Sequence, residues 1–174
     1  GDYQITNIGS QLRLGTFCHE NGHMICSWPD LYDYGYESRG IGSYGLMASS
    51  GGRNPRPPNP HFRDLRGWET IIEINDDAPG TVRYHQANSF TTYRYSHPTN
   101  EREFFLVESR LKTGRHEGMP DEGMLIWHVD RDGSNNNEQM TPEHHYRVSV
   151  EQADGDFDLE RNRNGGDSDD MFHA

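Results

Sequence analysis

The sequence predicts an α+β fold in which one helix and a long structured loop precede a mostly antiparallel β-sheet or small sandwich. Three observations predict it. A stretch from Ser10 to about Ile25 contains no Pro and places Leu12, Thr16, His19 and His23 on one helical face. A series of short apolar runs bounded by turn residues begins at Thr70. Hydrophobic residues make up only 31% of the 174-residue chain, with nineteen Gly and nine Pro, which argues against a large all-helical core and for short strands and turns.

Along the chain, Leu14, Cys18, Asn21 and Ile25 form a second face of the first helix, and Trp28-Pro29 ends it, because Pro disfavours helical backbone in its predecessor. Asp30 to Gly52 is rich in Gly, Tyr and Ser without a period and reads as a loop of the length that serves a site. Arg53 to Pro60 carries four prolines and reads as an extended connector. Its end, Asn59-Pro60, has the form of an N-cap followed by Pro at the first helical position, so a short helix to Gly67 is expected. Strands are expected at Thr70–Asn75, Thr81–Gln86, Phe90–Tyr95, Glu103–Ser109, Met124–Val129 and Tyr146–Gln152. From Ala153 on, Asp, Asn and Gly dominate. Residues 1–68 therefore form the helix-and-loop portion and 69–174 the β-rich portion.

The net charge of −12 disfavours partners with phosphate backbones or anionic lipid surfaces, so neither nucleic acid nor a membrane coat is expected; cations are the natural small partners. No apolar run approaches the ~18 residues of a membrane span. Gly1 at the front and an acidic run at the end lead to the expectation of a piece of a longer precursor. Cys18 and Cys26, if joined by helix, sit about 12 Å apart, too far for a disulfide, and read as free thiols.

The sharpest feature is His19-Glu20-Asn21-Gly22-His23, an H-E-x-x-H string inside the expected helix. One turn apart on one face, both imidazoles can reach a single Zn²⁺, with Glu20 beside the metal as general base rather than ligand. The alternative is a pair of helix-surface histidines. A catalytic zinc needs a third protein ligand and an open fourth position.

The strings Gly15 to His23, Pro29-Asp30-Leu31-Tyr32-Asp33 and Gly40 to Met47 resemble the immune inhibitor A-like family of secreted bacterial zinc metallopeptidases, which are metzincin-like. The resemblance continues through Glu103 to Arg110, Gly123 to Asp130 and Glu151 to Gly155, covering nearly the whole chain. It implies that His19 and His23 bind zinc, that Glu20 is the general base, that Asp30 is the third ligand, and that Met47 forms a Met-turn beneath the metal in a metzincin-like lower subdomain. In metzincin-type sites the third ligand lies six residues beyond the second His, which here is Pro29. A turn one residue longer brings in Asp30, with Asp33 as fallback and a loop-capping role for Asp30 as the alternative. Cys26 stands where the family carries a turn glycine, and only eighteen residues precede His19. An N-terminal upper subdomain of the same precursor is thus an expected partner, docking on the helix face of Leu14, Cys18 and Ile25.

The Asp-rich turns, Asp154, Asp156 and Asp158 foremost, offer the hard oxygens Ca²⁺ prefers, with solvated charge as the alternative. His128 reads as a sheet histidine satisfied by its neighbours. His144-His145 beside Glu143 reads as a polar strand entrance, with metal binding as the alternative. Tyr32, Tyr34, Tyr36 and Tyr44 are candidates either for loop packing or for donating a hydrogen bond to an oxyanion, and Met47 could equally be core filler.

The expected function is zinc-dependent endopeptidase cleavage of proteins or peptides. The competing one is a noncatalytic, calcium-stabilised β-rich module with a vestigial or structural zinc site, closed by a fourth protein ligand such as His61 or Cys26.

Overall fold

A computed structural model of the chain describes residues 13–49, 52–137 and 144–173. Helix α1 spans Leu14–Cys26; the part of the expected helix from Ser10 to Leu12 lies outside the described residues. Its end is built by Ser27, which adopts the left-handed conformation at φ 51°. The Ser27 and Trp28 N–H groups then return to the carbonyls of His23 and Gly22, at 3.0 and 3.1 Å, and satisfy the last turn. The helix thus stops two residues before the Trp28-Pro29 pair that blocks its continuation.

A loop from Trp28 to Ser49 follows, then α2, Pro60–Asp64, with Asn59 accepting the Phe62 N–H at 3.0 Å and Pro60 in the first turn. The N-cap and Pro arrangement is the one the sequence announces. Five strands then form one sheet in chain order: β1 Thr70–Glu73, β2 Thr91–Ser96, β3 Glu103–Arg110, β4 Gly123–Asp130 and β5 Val148–Glu151. β1 and β2 are parallel and every other pair is antiparallel. A single turn of 3-10 helix, Gly114–His116, joins β3 to β4. No described helix is long and apolar enough to cross a membrane.

Thr81–Gln86, expected as a strand, is not one. Because β1 and β2 run parallel, the chain must return from the end of one to the start of the other, and this segment is spent on the return. Its apolar residues find no sheet face: Val82 is 93% exposed and Tyr84 86%. The local pattern of alternation carries no information about whether a neighbouring strand edge is free.

The core is one cluster shared by both portions of the chain. Trp28, Leu31, Ile41, Tyr44 and Met47 from the helix end and loop pack with Phe104, Leu106, Leu125, Trp127 and Val148 from the sheet, and Leu159 and Met171 of the tail close it. The tail is tied to the sheet edge by a bridge between Met124 and Phe172. β3 and β4 alternate inward and outward, with Phe104 and Leu106 inside and Phe105 outside.

Beneath the sheet's β3–β4 pair lies a buried charge network. Glu108 accepts from Trp127 Nε1 at 2.8 Å and is ion-paired to Arg110 at 2.6 Å and Arg63 at 3.1 Å. Arg63 also pairs with the buried Glu69, so two guanidinium groups meet two carboxylates. Burial alone would raise the Glu108 pKa, but Arg110 and Arg63 outweigh it and pull it down to about 2.

A candidate metal centre on the first helix

The i, i+4 spacing of α1 places both imidazoles of the H-E-x-x-H string on one face, as it must. Each ring is then fixed from behind. His19 Nδ1 donates to the Leu46 carbonyl at 3.0 Å, and His23 Nδ1 donates to the Trp28 carbonyl at 2.6 Å. A carbonyl can only accept, so both Nδ1 atoms carry the proton, and in the neutral rings both Nε2 atoms present lone pairs. They converge, 3.2 Å apart. Asp30 Oδ1 completes the group at 2.8 Å from His19 Nε2 and 3.1 Å from His23 Nε2.

Asp30 is itself held. The Tyr34 hydroxyl donates to its Oδ2 at 2.6 Å, and Asn136, from the β4–β5 connection, donates to the carbonyls of Asp30 and Tyr32 at 3.0 and 3.2 Å. The Tyr34 N–H returns to the Asn136 carbonyl at 2.6 Å. Burial would raise the Asp30 pKa, yet the hydrogen bonds from His19 and Tyr34 lower it; for His19 burial would lower the pKa, yet Asp30 and the Leu46 carbonyl raise it. Tyr34, donating to a carboxylate, is pushed up to about 12, and so is Tyr32, chiefly by burial beside Asp30. Glu20 is half-buried on the same helix, and its charge acts on both His19 and Tyr32.

Met47 is fully buried. Its sulfur lies against Gly22, in the turn between the two histidines, where a Cβ would come within 2.6 Å of it, so Gly22 is what lets the thioether approach the helix. The same turn serves the site twice more, through the Leu46 carbonyl on His19 and through the Met47 carbonyl, which accepts from the Leu31 N–H at 2.7 Å. The bend that allows this includes Gly40 at φ 56°, whose backbone approaches the Leu31 carbonyl too closely for any Cβ.

The other candidates fall elsewhere. Asp33, the fallback ligand, accepts from the N–H groups of Gly35, Glu37 and Ser38 and caps its own loop. His61 and Cys26, weighed as a fourth ligand, are not among the groups that converge with His19, His23 and Asp30. His61 is buried against Phe62 and Phe104, and burial with Arg131 and Arg147 nearby lowers its pKa to about 4. Tyr36 is 78% exposed, and Tyr44 is buried at the tail. Cys18 and Cys26 are free thiols. Leu14, Met24 and Ile25 are exposed on α1, with Ile25 at 67%.

In the tail, the acidic residues that converge are Asp154, Asp167 and Asp170. Of the three expected calcium ligands only Asp154 is among them. The Asp156 N–H donates to Asp154, and Asp158 is taken up by Arg163 and Asn164. Asp170 is fully buried; its Oδ2 accepts from Tyr44 at 2.8 Å while its Oδ1 has no partner. Burial and then the neighbouring Asp167 and Asp154 push its pKa up. The brace by Asn136 and the tie of Tyr44 to Asp170 escape sequence reasoning because the partners are far apart in the chain, Asn136 from Asp30 by 106 positions and Tyr44 from Asp170 by 126.

Comparison with protein families, with characterised proteins and with solved structures finds no match.

Proposed function

We propose that the chain carries the zinc centre of a metal-dependent endopeptidase, with His19, His23 and Asp30 as ligands and Glu20 as general base. The observation that carries this reading is the orientation of the two imidazoles: both Nδ1–H groups are spent on backbone carbonyls, so two Nε2 lone pairs and a carboxylate oxygen face one another within about 3 Å. Three acceptors brought together repel unless a proton or a cation lies between them. Imidazole and carboxylate are the donor types that suit zinc. The supports behind them, Leu46, Trp28 and Tyr34, are the kind of outer contacts that orient metal ligands. Among the described residues three protein groups converge rather than four, which leaves a position for water and favours a catalytic over a closed structural site.

When bound, zinc supplies Lewis-acid polarisation of the scissile carbonyl and lowers the pKa of water. The chain's own part is proton movement and orientation. Glu20 takes the proton from the attacking water and returns it to the leaving amine. The Tyr34 hydroxyl fixes Asp30 by occupying Oδ2, so that Oδ1 stays aimed at the histidines. Tyr32, its ring 6.3 Å from His19 and its hydroxyl kept protonated beside Asp30, is the candidate donor to a tetrahedral oxyanion. Met47 supports the helix turn from beneath.

The residue strings that resemble immune inhibitor A-like peptidases agree with this reading, as does the exposed apolar face of α1, which suits docking of an upper subdomain. Zinc binding needs only α1 and its loop. Hydrolysis also needs the substrate backbone held, which contributes several kcal/mol of barrier lowering, about 7–11 at most. The test is metal content first: His19→Asn and Asp30→Ala are each expected to bind one equivalent of zinc fewer than wild type, and a zinc stoichiometry unchanged in both variants overturns the reading. Glu20→Gln is expected to keep zinc and lose hydrolysis of unfolded casein.

We also propose a calcium site at Asp154, Asp167 and Asp170, supported by the unpartnered buried Oδ1 of Asp170. Chelation should lower the melting temperature, calcium but not zinc should restore it, and Asp170→Asn should abolish the calcium response.

A further inference from the structure

A second cluster of histidine and carboxylate groups stands on the sheet. Glu103 opens β3, His128 and Asp130 end β4, and His145 lies just before β5. Antiparallel register sets Glu103 opposite Asp130 and Phe105 opposite His128. Glu103 Oε1 is 3.0 Å from His128 Nε2 and 3.7 Å from His145 Nδ1, and His145 Nδ1 is 3.1 Å from Asp130 Oδ2. The rings lie 5.6 Å apart, and His128 is held flat against Phe105.

We propose that Glu103, His128 and His145, with Asp130 as a fourth donor, form a second binding site for a divalent transition-metal ion of the zinc type. Three observations combine. One ligand atom from each of Glu103, His128 and His145 lies within 4.8 Å of the others, with Glu103 Oε1 3.0 and 3.7 Å from the two ring nitrogens. Two neutral imidazoles and two carboxylates carry a charge of −2, which one divalent ion cancels. His128 Nε2 faces the cluster, its ring lies flat against Phe105, and its Nδ1 is turned toward the Glu151 carboxylate of β5, 3.9 Å away. The imidazole pair selects zinc and its neighbours over calcium or magnesium, which prefer all-oxygen sites. Side-chain exposures of 12% for His128, 23% for Glu103 and 29% for His145 leave the cluster open to an entering ion.

The ion's role follows from the elements it joins. It ties the residue that leads into β5 to the ends of β3 and β4. The same β4–β5 connection presents Asn136 to the Asp30 and Tyr32 carbonyls. Occupancy of the sheet site therefore secures the base of the loop whose other contact braces the first metal centre. The proposal does not depend on the endopeptidase reading, because it needs neither Glu20 nor hydrolysis.

The test is the stoichiometry of zinc or cobalt(II) bound by the full chain after chelation and dialysis, read by elemental analysis and by the cobalt d–d spectrum. Wild type is expected to bind two equivalents. His145→Asn and His128→Asn should each lose one, His19→Asn should lose the other, and the combination of His19→Asn with His145→Asn should bind none. Far-UV circular dichroism and tryptophan fluorescence identify a variant that fails to fold, and the milder Glu103→Gln then replaces it. A second measurement isolates the sheet site: in the His19→Asn background, zinc should still raise the melting temperature, and adding His145→Asn should remove that rise. One equivalent in wild type, unaffected by His145→Asn and His128→Asn, overturns the proposal while sparing the first centre. One equivalent lost with His145→Asn but kept with His19→Asn supports the sheet site and overturns the first.

Discussion

Two charged clusters of this molecule, both shielded by the same core, solve the problem of buried charge in opposite ways. Under the sheet, Arg63 and Arg110 meet Glu69 and Glu108, and Trp127 Nε1 completes the shell of Glu108. Charge closes on itself. On α1, the two Nε2 atoms and the Asp30 carboxylate face one another with every outer position already taken by Leu46, Trp28 and Tyr34. Among the described residues, no further metal-ligating side chain converges on those three atoms. The contrast separates two kinds of polar cluster: in the first every charge meets an opposite charge within the protein, and in the second the outer positions are filled while three acceptor atoms face one another.

The largest effect that sharpens this contrast is at Glu108. Replacing it with Ala leaves two guanidinium groups buried with a single carboxylate between them, and should cost about 3–5 kcal/mol in urea unfolding. A cost below about 1 kcal/mol would mean that the network is not closed in the way described. The metal-dependent part is next. Zinc at a hundredfold excess over its dissociation constant should stabilise the wild-type chain by about 2.7 kcal/mol for each site occupied. Asp30→Asn should remove the increment due to the helix site and leave that of the sheet site. An unchanged zinc titration of this variant would break the comparison at its open end.

A smaller change tests the supports. Tyr34→Phe removes the donor on Asp30 Oδ2 and should weaken zinc at the helix site by about 10–100-fold, with little change in metal-free stability. Competition with a chromophoric chelator reads this directly. A further effect is acid sensitivity from the buried histidines. His61 and His116 have folded pKa values lowered to about 4, chiefly by burial, so between pH 6.5 and 4 the unfolded chain binds more protons than the folded one. Their contribution is fully present above pH 6.5 and is lost as pH falls toward 4, before Glu108, held near 2, begins to protonate in the fold. Urea midpoints measured across that window should fall with pH, and His61→Leu should flatten the slope. A slope unchanged in that variant would remove His61 from the account.

The H-E-x-x-H spacing determined, with no help from the rest of the chain, that two imidazoles share one face of α1, because a helix has a fixed period. Asn59-Pro60 likewise announced α2, and the apolar runs Glu103–Ser109 and Met124–Val129 announced β3 and β4 to within a residue at each end, since these signals act through neighbouring residues. Sequence alone could name Asp30 but not choose it over Asp33. That choice depended on which carboxylate the loop's own N–H groups consumed, and they consumed Asp33. The tertiary structure also decided that Thr81–Gln86 would be a crossing rather than a strand, because a strand exists only where an edge is free to pair. It decided that Asp170 and Asp167, rather than Asp156 and Asp158, would meet Asp154. The joining of His145 to Glu103 and His128, and of Asn136 to the Asp30 loop, was decided there too. Contacts between residues on different elements, 106 positions apart for Asn136 and Asp30, arise from the packing of whole elements, and no local period records them.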